Sequence, residues 1–273
     1  MMPETVITAD NVTKDFILQE DETIIAKIVG KVNGSKMPRR IRALDNVSFT
    51  LGRGEVLGII GRNGSGKTTL LRVLSGIYPP TCGRVHVHGK LMPLINSTVG
   101  VQPKLTMRDN IYLISSLFGL SRSEISQKFN YIVEFSELED FVDVRMYKFS
   151  NGMKARVAFS IAAHLDPEIL LLDEVFMAGD ARFKEKSRDR MMELVRGDAT
   201  VVMASHSEGL LREVADRVIW LENGRVKMDG TPEDVIDAYL GKMNIQKGDE
   251  AEKENRDVPS PLRRQKEEQI VVS

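Results

Sequence analysis

Gly61-Arg62-Asn63-Gly64-Ser65-Gly66-Lys67-Thr68-Thr69 places three glycines, a lysine and two threonines within nine residues. The spacing fits G-x-x-x-x-G-K-[ST]. Glycines at 61, 64 and 66 let a backbone wrap an anion with its N–H groups. Lys67 would neutralise the outer phosphates of a nucleotide, and Thr68 would hold a divalent cation. The run follows a strand, "EVLGII", and opens a helix, "TTLLRVLSG". A phosphate-binding loop needs that context, and the plain alternative is a glycine-rich turn that contains a lysine.

Two further stretches carry matching chemistry. In "EILLLDE" (168–174) the apolar run reads as a buried strand, with Asp173 and Glu174 at its C-terminal end. Ligands of open α/β sheets sit at that end. One carboxylate can complete a metal shell and the next can orient an attacking water; otherwise the pair is a solvated acidic strand end. His206 follows another strand, "TVVMAS" (200–205), about 30 residues later. It is either a surface histidine or a donor facing the outermost phosphate. No Cys/His or His/Glu spacing suggests zinc, and no nucleophile–base set suggests acyl transfer.

The stretch "YKFSNGMKARVAFS" (147–160) is of another kind. Met153, Val157, Ile161 and Leu165 recur every four residues, which predicts a helix, and Ser150 stands at its N-cap position. Small polar residues opening a helix make an anion site, because free N–H groups and the helix dipole converge there.

The elements that must position these groups alternate. Strands are expected at 5–16, 46–50, 55–60 and 84–88. Residues 17–42 break the rhythm: Ile24, Ile25, Ile28 and Val29 share a helical face, and Lys31, Lys36, Arg39, Arg40 and Arg42 follow with no acid among them. Helices are expected from 106, with capping-box spacing at Thr106/Asp109 and Ser121/Glu124. Asp166-Pro167 should stop the helix that Ser150 starts. "RVIWLENGRVKMDG" predicts a hairpin turning on Asn223-Gly224, and Thr231-Pro232 the start of a last helix. The order is sheet, helical insert (about 104–168), sheet again, so an α/β core is interrupted by a helical subdomain.

The chain has 273 residues, 42% hydrophobic and 28% charged, with a net charge of −1. That suits one large domain or slightly more, and gives no basic surplus for nucleic acid. One cysteine, Cys82, excludes a disulfide framework. No apolar leader or run of eighteen apolar residues occurs, so a membrane span would have to come from another chain. Residues 242–273 hold seven basic and seven acidic side chains without periodicity. They are expected to form a mostly disordered tail after a folded unit at 1–241.

Taken in order, the P-loop, Gln102, "FSNGMK", "LLLDE", "AGD" and "SH" resemble the ATP-binding subunit of an ABC transporter, over about residues 5–240. The resemblance implies an α/β fold: a P-loop NTPase core with an N-terminal antiparallel β subdomain and an inserted α-helical signature subdomain. It implies ATP hydrolysis with Mg²⁺, held by Thr68, Asp173 and Gln102, with Glu174, His206 and Gln102 in the catalytic set. It also implies a head-to-tail homodimer in which Ser150, Asn151 and Gly152 of one chain face the ATP on the P-loop of the other. The usual signature is Leu-Ser-Gly-Gly-Gln; here Asn151 and Met153 replace a glycine and the glutamine, and Asn tolerates unusual backbone angles. Asp180 matches the acid that couples the two sites. Phe16 matches the aromatic that stacks on adenine. Each has a bland alternative: Gln102 as a loop amide, Asp180 as a helix cap, Phe16 as a core aromatic.

"SNGMKARVAF" and "DEVFMAGDARFKEK" are similar to the polysaccharide exporter branch (capsule, O-antigen or teichoic acid). An insertion at 17–42 is similar to one in the O-antigen and teichoic acid members. The implied partners are integral membrane permease subunits, with no nucleic acid, and the implied place is the cytoplasmic face of the bacterial inner membrane. Some O-antigen members carry a glycan-binding domain after the ATPase; the 32 residues after Gly241 are too few for one. The alternatives left open are an ABC exporter of a lipid or drug and a soluble ABC-type clamp ATPase. Against the clamp stand the single ATPase unit and the lack of sustained heptads. No Asn-Lys-x-Asp motif points to guanine.

Overall fold

The computed structural model describes residues 4–18, 39–95, 100–173 and 181–243. Two sheets and a helical layer make up these residues. Strands β1 (Thr5–Leu18), β2 (Arg39–Gly52) and β4 (Cys82–Val87) form an antiparallel sheet in the order β2-β1-β4. The second sheet has six strands: β5 (Leu91–Leu94), β6 (Ile169–Asp173), β7 (Thr200–Ala204), β3 (Val56–Ile60), β8 (Arg217–Glu222) and β9 (Arg225–Gly230), in that spatial order. Its first five are parallel, and only β9 runs against its neighbour.

The parallel strands are covered on both faces, which is why they read as unbroken apolar runs. Side chains alternate between the two layers. Val56, Ile60, Leu170, Leu172, Val201 and Met203 enter one core cluster. Leu57, Ile59, Ile169, Leu171, Val202 and Ala204 enter the other, with Leu70, Leu71, Val73 and Leu74 of helix α1 (Lys67–Leu74). Full burial of each such side chain contributes roughly 1.5–3 kcal/mol. The alternation has a consequence for chemistry. Residues 169 and 171 face α1, so Asp173, two further on, also points to the side where α1 begins.

Helices α2 (Met107–Leu117), α3 (Arg122–Ser136) and α4 (Asn151–Ala163) lie between β5 and β6. Both capping boxes form, with Thr106 and Ser121 accepting from the amides of Asp109 and Glu124. Helix α5 (Ala181–Val195) follows β6, α6 (Glu208–Val214) follows β7, and a last helix, α7, covers 232–243. The β8–β9 hairpin turns on Asn223 (φ 49) and Gly224 (φ 76), both left-handed as a type I′ turn requires.

Some expectations change. The first two strands are longer than they read. Ile17 pairs with Arg40 and Leu18 with Arg39, so residues 17–18 and 39–42 extend the β1–β2 ladder. Arg39, Arg40 and Arg42 of the basic run are therefore strand residues. The apolar helical face at Ile24–Val29 lies outside the described residues. Strand β5 gave no signal because it is four residues long and contains Pro93, which is tolerated at this sheet edge. Helix α7 runs past 241 to 243, and Met243 packs partly against the core. Residues 244–273, the rest of the expected tail, lie outside the described residues.

Candidate nucleotide-binding site

Strands β6, β7 and β3 are neighbours, and their C-terminal ends bring three distant segments together. The loop 61–66 leaves β3, Asp173 ends β6, and His206 stands two residues past β7. A cleft of about 500 Å³ opens there, lined by Asn63, Gly64, Gly66–Thr69, Asp173, His206 and, from β2, Ile41–Ala43.

The loop is built to approach an anion closely. Gly66 is left-handed (φ 108), and a Cβ there would stand 2.5 Å from the carbonyl oxygen of Ala43. Only glycine lets the loop lie against β2 while the chain turns into α1. Gly64 (φ 79) has nothing within 4 Å of its missing Cβ, so the cleft meets bare backbone. The N-terminus of α1 adds N–H groups and the positive end of its dipole, with no acidic side chain in its first turn.

Lys67 is buried, 8% exposed. Its ammonium donates to the carbonyls of Gly61 (2.6 Å) and Arg62 (3.2 Å). It also stands 3.3 Å from Nε2 of His206. An ammonium has only donors, so Nε2 is the acceptor in that contact. Thr68 Oγ1 donates to Asp173 Oδ2 at 2.7 Å. Two oxygen donors in contact on a buried carboxylate suit a small hard cation. The hydroxyl of Ser65 is buried and has no hydrogen-bond partner among the described residues. Ser65 itself does not line the cleft. Lys67, Thr68 and Asp173, which do, fit a nucleotide with its metal.

Other expected residues lie elsewhere. Gln102 sits in a loop fixed through its backbone: its amide donates to Asn110 Oδ1 (2.7 Å), and Asn110 Nδ2 donates back to its carbonyl (3.1 Å). Its side chain is exposed and is not among the residues lining the cleft. Phe16 is half-buried and packs edge-on against Tyr78 at 5.4 Å, with the Lys14 ammonium 5.2 Å from its ring centroid. It too is not among the lining residues. Its cross-strand partner Ile41 is, at 43% exposed. Glu174 and Asp180 lie outside the described residues.

Sequence reasoning missed Ile41, Arg42 and Ala43. No local pattern marks them, because only the β1–β2 register brings them to the cleft. The Arg42 guanidinium is held by Asp15 (2.9 Å) and Asp45 (3.2 Å). Its hydrogen bond holds the Asp15 carboxyl below the usual range, while Asp45 is lowered first by Arg225.

The polar elbow is a separate surface. Ser150 caps α4, its hydroxyl accepting from the Met153 amide at 3.2 Å. Asn151 is the first helical residue and is not left-handed. The elbow therefore does not use the unusual backbone angles asparagine would tolerate. A Cβ on Gly152 would meet only Ser150 Oγ, at 3.8 Å. Ser150 and Asn151 are exposed, and the first amides of a helix have no partners within it. The elbow is not part of the wall of its own chain's cleft.

A family model described as ABC transporter matches residues 44–177. The O-antigen export system ATP-binding protein RfbB of Klebsiella pneumoniae is 37% identical over 246 residues, covering 88% of this chain and 99% of that protein. A teichoic acids export ATP-binding protein, TagH of Lactococcus lactis, is 39% identical over 236 residues; the match covers 85% of this chain and half of that one. An RfbB of Myxococcus xanthus is matched over 58% of its length. Among solved structures, an ATP-binding subunit of an ABC transporter superposes with a TM-score of 0.68 at 22% identity, covering 89% of this chain and 99% of its own. An ATP-binding cassette dimer bound to ADP and Pi gives 0.65 at 24%, covering 83% and 98%. At that identity the superposition shows the fold. The loop, the carboxylate at the end of β6 and the near full-length match lead to one conclusion: the chain belongs to the ABC transporter ATP-binding proteins, ATP hydrolases, in the branch that contains O-antigen and teichoic acid export ATP-binding proteins.

Proposed function

We propose that this chain hydrolyses ATP to power export of a cell-surface polysaccharide across the bacterial inner membrane. The observation that carries the reading is the 37% identity along 99% of an O-antigen export ATP-binding protein. The geometry supplies the engine: Lys67, Thr68, Asp173 and His206 meet in one cleft.

In this reading the loop amides and Lys67 bind the phosphates of ATP. Thr68 and Asp173, with Gln102 brought in by its loop, hold Mg²⁺, which when bound supplies charge neutralisation at the β- and γ-phosphates. Gln102 reaches the site by a rearrangement, since it does not line the cleft. Glu174 orients the attacking water, and His206, whose Nε2 is released when the Lys67 ammonium turns to the phosphates, donates toward the γ-phosphate. Phe16, or its neighbour Ile41, packs on the adenine. Two copies pair head to tail, so that Ser150, Asn151 and Gly152 of one contact the ATP of the other, and Asp180 couples the sites. The exposed elbow, outside its own cleft, supports this. Integral membrane permease subunits carry the cargo, and the ATPase sits on their cytoplasmic face. Among the described residues no helix is long and apolar enough to cross a membrane.

The test is genetic and biochemical. In cells whose only copy is Lys67→Ala, surface polysaccharide should be lost and should accumulate inside, and a permease should co-purify with the wild-type chain. Normal surface polysaccharide in that strain would reject the cargo assignment. Co-purification with a lipid or drug permease would favour that alternative.

A further inference from the structure

Helix α5 reaches the C-terminal ends of two helices of the inserted layer. Lys186 Nζ donates to the carbonyl of Phe135, in the last turn of α3, at 3.0 Å. Arg190 donates through Nε (3.1 Å) and Nη2 (2.9 Å) to the carbonyl of Ala163, the last residue of α4. Residues four apart share one face of a helix. The carbonyls at a helix C-terminus lack partners within the helix and carry the negative end of its dipole. Each cation therefore satisfies a carbonyl and a dipole at once.

A third residue ties the two contacts. Glu137, the left-handed C-cap of α3, accepts from Lys186 through Oε1 (3.3 Å) and from Arg156 of α4 through Oε2 (3.4 Å). Arg156 also lies over the ring of Phe183, 4.7 Å from its centroid, and Phe183 is a buried residue of α5. Helices α3, α4 and α5 are thus pinned at one corner by hydrogen bonds of charged groups that are partly shielded from water.

Arg156 holds α4 near its middle, and Arg190 holds its end opposite the elbow. Helix α4 has 13 residues and is about 20 Å long. Ser150 opens it, and Ala163, held by Arg190, closes it. Helix α5 in turn follows the end of β6, where Asp173 stands. We propose that Arg190 and Lys186 are positioning residues for ATP hydrolysis, fixing the tilt of α4 so that Ser150–Gly152 is presented at a set place relative to the end of β6. With the Ala163 end released, a tilt of about 5° about the middle of α4, where Glu137 holds Arg156, would move the elbow by about 0.9 Å on a 10 Å lever. Misplacement on the order of 1 Å costs roughly 10²-fold in rate. The inference rests on the elbow's role given under Proposed function.

The experiment compares full-length wild type, Arg190→Met, Arg190→Lys and Lys186→Met, with Lys67→Ala as control, by steady-state ATPase kinetics. Arg190→Met should lower kcat about 10- to 100-fold with KM for ATP within about twofold, since the P-loop is untouched. Arg190→Lys keeps a donor and should return kcat to within about threefold of wild type. Lys186→Met should lose about three- to tenfold in kcat. Wild-type kcat in folded Arg190→Met overturns the proposal, and so does a loss shared equally between kcat and KM. If Arg190→Met does not fold, Lys186→Met decides, and wild-type kcat there overturns it. An inactive Lys67→Ala beside a fully active Arg190→Met rejects only the positioning role. A fully active Lys67→Ala rejects the P-loop reading itself.

Discussion

The amide of Gly224 donates to the carbonyl of Ser65 at 2.9 Å, and the carbonyl of Gly224 accepts from the amide of Asp45 at 2.8 Å. One hairpin turn therefore bridges the phosphate-binding loop to the antiparallel sheet. A Cβ on Gly224 would stand 2.7 Å from the Ala43 oxygen. Gly224→Ala should thus disturb the fold and the loop together. Left-handed strain alone costs about 1–3 kcal/mol, which lowers Tm by roughly 2–4 °C per kcal/mol in a chain of this size. ATP affinity should fall in parallel. An unchanged Tm with unchanged binding of a fluorescent ATP analogue would show that the turn does not support the loop.

The contact between Thr68 Oγ1 and Asp173 Oδ2 at 2.7 Å gives a sharper prediction. Thr68→Val keeps the shape and deletes the hydroxyl. Folding should change little, by about 1 kcal/mol, the net worth of one hydrogen bond. Hydrolysis should fall on the order of 10²-fold, as when one aligned polar group is removed from charge stabilisation at a reacting centre. Thr68→Ser should restore most of it. Equal turnover in Thr68→Val and wild type, measured across a magnesium titration, would remove Thr68 from the site.

His164 predicts a pH effect on stability. It ends α4 with Nδ1 2.7 Å from the Ser160 carbonyl and its ring edge-on to Phe135. Burial lowers its pKa below the ordinary 6.5; the Ser160 hydrogen bond and Asp166 oppose this, while Arg190 and Lys128 add to it. The unfolded chain therefore takes up this proton more readily than the folded one. The contribution to stability is complete above pH 6.5 and is lost as pH falls below 6.5 toward the folded value. His164→Asn, whose amide can still donate to Ser160, should flatten Tm against pH in that window. An identical slope in the variant would assign the effect to other groups.

Much of the nucleotide cleft was legible in the sequence, because its parts are local. Strands buried on both faces read as apolar runs, and the segments that meet at the cleft follow directly: Gly61–Thr69 after β3, Asp173 at the end of β6, His206 after β7. The caps at Thr106, Ser121, Ser150 and Thr231 read correctly for the same reason. Contacts set by tertiary register gave no local signal. Ile41 and Arg42 reach the cleft only through pairing across residues 19–38. Lys186 and Arg190 meet carbonyls 51 and 27 residues away. Gln102 and Phe16 belong to a familiar order of motifs, yet neither lines the cleft.

The most direct test is assembly of full-length Glu174→Gln with ATP and magnesium, followed by size-exclusion chromatography. The variant should bind ATP, hydrolyse it at a small fraction of the wild-type rate, and elute as a dimer with two nucleotides trapped. Adding Gly152→Asp, which in the proposed head-to-tail pairing would set a carboxylate against the partner's γ-phosphate, should return it to a monomer that still holds ATP. A Glu174→Gln protein that turns over ATP like wild type, or a dimer that survives Gly152→Asp, would contradict a composite site formed by the P-loop of one chain and the elbow of another.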